Sequence, residues 1–159
     1  MATLNMKQFE KKLKKWSKNN PKAVNLAMKA GTEIVRKEVI SKHLSGPKMA
    51  TGQGSSTTAT LARRSGDMAG SVNTKVTVTP DKISGQIGSP LKYYRIHEKG
   101  GTIKGKNGGY LKFKVGGAWV MVKSVKIPKR SSLEPSLQAK KDEVMTLIGR
   151  RLIEEYNKS

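Results

Sequence analysis

The chain has no cysteine among its 159 residues, which excludes disulfide staples, thiolate metal sites and cysteine nucleophiles. Histidine is nearly as scarce, with two copies, His43 and His97. Acidic residues number 11 against 32 lysines and arginines, leaving a net charge of +21 and a pI near 10.3. Aromatics make up 5% and hydrophobic residues 35%, so the core has to be lean and aliphatic. No stretch approaches the ~18 consecutive apolar residues of a membrane span. The first residues, M-A-T-L-N-M-K, lack the apolar run of a secretory signal. The expectation is a protein made and kept in a cytoplasm, or in something assembled there, with no membrane partner.

What is present reads as one domain, 1–159, long enough to bury roughly 68–70% of its unfolded surface. Its positive excess implies an acidic partner; of nucleic acid, the acidic face of another protein and a membrane surface, the membrane has least support. Met6, Phe9, Leu13 and Trp16 recur at helical spacing among lysines, predicting a short amphipathic helix docked on the core. Pro21, with Asn20 as cap, opens a longer helix. Val24, Met28, Gly31, Val35 and Val39, backed by Ala27 and Ile34, form its apolar face until S-G-P at 45–47 stops it near Leu44. Residues 45–60 are almost wholly small and polar, a long loop or arm. The segment 61–72 is a short helix or turn with Leu61, Met68 and Val72 inward and Arg63 and Arg64 outward.

Val72, Thr74, Val76 and Val78 alternate with polar residues as a half-buried strand does, and Ile83, Gly85 and Ile87 return after a turn. The next stretch, 89–103 (S-P-L-K-Y-Y-R-I-H-E-K-G-G-T-I), is the one the chain is organised around. Proline before it and paired glycines after it mark a short, separately folded turn between β segments. A β segment starts at Thr102 and Ile103, followed by a glycine-rich turn at 104–109. Leu111, Phe113 and Val115 alternate up to a Gly116-Gly117 hairpin signal, and 119–127 returns as a partner strand ended by Pro128. Trp16, Trp119, Phe9 and Phe113 read as core. A final helix over 134–157 carries Leu137, Val144, Ile148, Leu152 and Tyr156. The expected class is α+β: an antiparallel β meander or sheet, with a long N-terminal helix and a C-terminal helix packed on one face.

Catalytic constellations are weak. Residues 100–106 (G-G-T-I-K-G-K) fit the phosphate-loop pattern, but Asn107 stands where a magnesium-binding hydroxyl belongs, and a strand follows where a helix should. His97 and Glu98 are adjacent, diverge in direction and lack a third partner. No serine sits in a G-x-S-x-G elbow. The reading is no enzyme, no catalytic or metal residues and no cofactor. For nucleic acid, only Tyr93, Tyr94, Tyr110 and Tyr156 are left to stack on bases, and zinc spacing and helix-turn-helix patterns are missing. That disfavours sequence-specific readout and leaves electrostatic contact with the phosphate backbone open.

Four stretches then fall into a recognisable order: 61–72 (L-A-R-R-S-G-D-M-A-G-S-V), Gly88-Ser89, Y-R-I-H-E at 94–98 with G-G-T-I at 100–103, and V-K-I-P-K-R-S-S-L-E-P at 125–135 before a terminal helix. In this order, over roughly residues 20 to 157, the chain resembles the small tail-completion or neck proteins of long-tailed double-stranded DNA bacteriophages. These are sometimes grouped with phage virion morphogenesis proteins. It departs from the family at Lys99, where an aromatic or small residue is frequent, and at Ser131-Ser132, where Pro-Phe is frequent.

The resemblance implies a non-enzymatic structural subunit of the virion, assembled in the host cytoplasm. It would form a six-fold ring of its own copies at the head–tail junction, as neck, tail-completion or tail-terminator protein. Expected partners are neighbouring neck, adaptor, tail-terminator or tail-tube proteins and packaged double-stranded DNA. On this reading Tyr93, Tyr94, Arg95, His97, Glu98 and Lys99 make partner or intersubunit contacts, together with the arm at 45–60. Arg63, Arg64, Lys104, Lys106, Lys129 and Arg130 face DNA or an acidic neighbour. The alternative is a basic nucleic-acid-binding protein without sequence preference.

Overall fold

The computed structural model describes residues 6–46, 48, 61, 65–79 and 82–158. The fold is α+β. The polar stretch at 45–60 lies almost wholly outside the described residues, as do Arg63 and Arg64 and the side chains of Phe9 and Leu13.

Helix α1 (Met6–Asn19) leads into α2 (Pro21–Glu38), whose last turns widen into a π-helical segment, Val39–Leu44. Pro21 begins α2 without cost, because the first helical amide has no intrahelical acceptor to lose. Val24, Ala27, Gly31, Thr32, Val35 and Val39 are buried along one stripe of this helix. Against that stripe lie the C-terminal helix α5 (Leu133–Asn157) on one side and the hairpin of β1 (Asn73–Val78) and β2 (Ile83–Gly88) on the other. Gly31 permits the helix crossing: a Cβ there would sit 2.9 Å from Ile148 Cδ1 and 3.1 Å from Val144 Cγ1. The core is small, as the composition requires. Val35, Val39, Leu44, Val72 and Tyr94 form its buried centre, with Met68, Ile87, Leu133 and Val144 around them. Arg36 locks α2 to the start of β1 by donating from Nε to the Val72 carbonyl at 2.7 Å. Trp16 is buried and meets Tyr156 edge to face, with ring centroids 5.9 Å apart.

The single-turn helix α3 (Asp67–Gly70) precedes β1, and α4 (Lys92–Lys99) follows β2. Residues 92–99 were expected to be a turn between β segments; they form two turns of helix. Leu91, Tyr94 and Glu98 recur at helical rather than alternate spacing, and the Ser-Pro and Gly-Gly punctuation delimits the helix instead of replacing it.

The remaining strands are β3 (Gly101–Lys104), β4 (Leu111–Val115), β5 (Ala118–Val122) and β6 (Ser124–Ile127). They are nested instead of meandering: β3 pairs with β6 and β4 pairs with β5, both antiparallel. The return strand expected over 119–127 is therefore two strands, broken at Lys123. The cause is unequal length on the two sides, since residues 105–110 lie opposite Lys123 alone. Gly105 N–H donates to the Lys123 carbonyl across that break at 3.2 Å. At the tip, Gly116 and Gly117 adopt φ of +57° and +87°, as a two-residue hairpin turn demands. The product is one long two-stranded ribbon. Trp119, expected in the core, is 61% exposed on it.

Candidate functional site

The corner at 91–103 and the ribbon after it hold nearly all the residues singled out from the sequence. Ser89 starts the corner: its Oγ accepts from Leu91 N–H at 3.1 Å and pairs with Ser71 Oγ at 2.7 Å. Helix α4 then turns Tyr94 and Glu98, four residues apart, toward the start of α5. Glu98 Oε1 accepts from the backbone N–H groups of Ser132 at 2.8 Å and Leu133 at 3.2 Å, and from the Ser132 hydroxyl. Its Oε2 accepts from Ser131 Oγ at 3.1 Å. A carboxylate here satisfies amides that the first turn of α5 leaves open, and its charge matches the positive end of that helix. The Ser132 hydroxyl gives its one proton to Glu98, so Tyr94 is the donor in its 2.8 Å bond with Ser132 Oγ. Burial pushes the Tyr94 phenol up to about 12; the bond with Ser132 pulls the other way, and the neighbouring negative charge of Glu98 adds to the rise.

His97 faces elsewhere. Its carbonyl accepts from Arg130 N–H at 2.7 Å, tying the end of α4 to the segment after β6. Its Nδ1 is buried without a hydrogen-bond partner among the described residues. Burial lowers its pKa from 6.5, and the positive charge of Arg130 adds to that. The Glu98 carboxylate is turned away from this imidazole, toward the start of α5. Among the described residues, no cluster of three His, Cys, Asp or Glu stands close enough to hold a metal ion.

The six corner residues thus separate by direction. Tyr94 and Glu98 are engaged inside the chain, and His97 is half-buried beside Arg130. Tyr93, Arg95 and Lys99 are exposed. Of the basic residues, Lys104 and Lys106 are exposed on the ribbon and Lys129 at its base, while Arg130 is half-buried beside His97. Arg63 and Arg64 lie outside the described residues.

Sequence reasoning missed the outer face of the ribbon. Register places Lys112 opposite Met121 and Lys114 opposite Trp119, so these four share one side. Lys112 Nζ and Lys114 Nζ stand 4.8 and 5.1 Å from the centre of the Trp119 ring, within cation–π range. Lys123 Nζ lies 5.9 Å from the Tyr110 ring, and Tyr110 and Met121 are each 59% exposed. The signal was legible: counting back from the Gly116-Gly117 turn pairs residue 114 with 119, which puts the tryptophan on the lysine face. Residues 101–127 hold six lysines and no carboxylate. Such a surface can meet an anionic partner that also offers apolar area.

Among the described residues no helix is long and apolar enough to cross a membrane. Comparison with models of known families, with curated proteins and with solved structures finds no match.

Proposed function

We propose that this chain is a structural subunit of a tailed bacteriophage particle. It forms a ring at the head–tail junction, as a neck, tail-completion or tail-terminator component, and joins the tail to the DNA-filled head. The observation that carries the reading is the ribbon, which keeps Tyr110, Val115, Trp119 and Met121 exposed while pairing mainly with itself. A two-stranded ribbon is marginal alone in water, and one with exposed large apolar side chains is completed by another chain. Further support comes from the meeting of Y-R-I-H-E and K-R-S-S-L-E-P in the Glu98 clamp, since these are two of the stretches through which the chain resembles that family. Tyr93, Arg95 and Lys99 then serve as contacts with neighbours. Lys104, Lys106 and Lys129 face packaged DNA or an acidic neighbouring ring. Particles assembled without the chain test this: filled heads and finished tails that fail to join are expected, and normal joining would overturn it.

A second reading, binding to nucleic acid without sequence preference, is favoured by the six lysines of the ribbon, three of which stand over the exposed rings of Trp119 and Tyr110. Its signature is affinity for duplex DNA falling with salt at a slope of about −0.9 per phosphate neutralised.

A further inference from the structure

Helix α5 carries an outward face that nothing among the described residues covers. Asp142, Met145, Gly149 and Ile153 stand at i, i+3, i+7 and i+11, on one side of the helix. Met145 is 65% exposed and Ile153 50%. Between them Gly149 leaves a notch: a Cβ added there would meet no atom within 4 Å. Glycine is the poorest helix former after proline. Gly31 has its reason inside the chain, in the crossing of α2 and α5; Gly149 has none among the described residues. Asp142 is in no ion pair among the described residues.

The ribbon is the counterpart of this face. Trp119 and Met121 form its apolar centre, 61% and 59% exposed, with Lys112 and Lys114 beside them. Its charge is wholly positive, whereas α5 holds five of the chain's eleven carboxylates against four basic residues. Lengths agree as well: strands of five residues span about 17 Å, and the helix rises about 17 Å from Asp142 to Ile153.

We propose that Trp119 of one copy seats in the notch at Gly149 of the next, between Met145 and Ile153, while Lys112 and Lys114 leave the indole face for Asp142. This rests on the ring reading and names the surfaces that make the ring. The two surfaces differ, so the contact is head to tail and closes into a ring when the rotation per copy allows. An indole in a small-residue notch, ringed by charge pairs, has the anatomy of an interface anchor.

The test is the oligomeric mass of the purified full chain across a concentration series, for wild type, Trp119→Ala, Gly149→Leu, Lys114→Glu, Asp142→Lys and the Lys114→Glu/Asp142→Lys double variant. Each single variant is expected to weaken assembly at least about tenfold, and the double variant to recover most of it. Gly149→Leu is decisive because it separates folding from docking: its melting temperature should rise by about 2–4 °C while assembly falls. If wild type forms closed oligomers and the variants melt normally and assemble as wild type does, the interface lies elsewhere and the ring reading stands alone. If the ribbon variants lose only the binding of a labelled DNA duplex and keep assembly, the occupant is nucleic acid and the proposal is overturned. If wild type stays monomeric at every concentration, both fall.

Discussion

Glu98 takes four hydrogen bonds from residues 33 to 35 positions further along the chain, so its loss is felt at the start of α5. Glu98→Ala is expected to destabilise the fold by about 2–3 kcal/mol in chemical denaturation, because buried amides lose their acceptor. Glu98→Gln should cost less, since one amide oxygen still accepts. Tyr94 gives the clamp a pH signature. Its folded pKa, about 12, lies above the ordinary 10.0, so its contribution is full below pH 10 and is lost as pH rises through 12. Tyr94→Phe should flatten that alkaline limb of a stability-against-pH curve. His97 acts with the opposite sense: its pKa is lowered from 6.5, so stability present above pH 6.5 falls as the solution is acidified, and His97→Gln should reduce the fall. By contrast, alanines at the exposed Tyr93, Arg95 and Lys99 should leave the melt almost unchanged and weaken contacts with neighbours. The sequence marked this corner as special through its punctuation and its rare histidine. It could not tell inward from outward residues, because Glu98's partners lie far along the chain and were visible only as a separate motif.

At the scale of elements, two glycines make the contrast between a packed and an open helix face. Gly31→Val forces a side chain into Ile148 and Val144 and should destabilise by about 2 kcal/mol. Gly149→Ala meets no neighbour and should stabilise by about 1 kcal/mol; paired denaturation curves read both signs. The ribbon should behave as a separate unit. Its β4–β5 amides are expected to exchange with solvent faster than those of α2 and α5 in the isolated chain, and to gain protection on assembly. Helices α1, α2 and α5 and both hairpins were legible because their periods extend over several turns or pairs. Trp119 was not. Period and turn place it on a strand face, but whether that face is covered depends on a second layer that local sequence does not encode. The nesting of β3 with β6 was hidden for a related reason: unequal strand lengths across Lys123 appear only once the pairing is known.

Across the whole molecule the charge is unevenly shared. Lysines crowd α1 and the ribbon, while carboxylates gather on α5. In a free binder of nucleic acid this asymmetry would serve one partner only; in a ring it gives each copy two unlike surfaces to offer its neighbours. Both sources of attraction weaken with salt, but the apolar part of a ring contact does not, so assembly should survive ionic strength that abolishes duplex binding. Electron microscopy of the purified chain at physiological salt is the most direct measurement. Closed rings of a single copy number are the predicted result, and a field of monomers at every concentration would contradict the account.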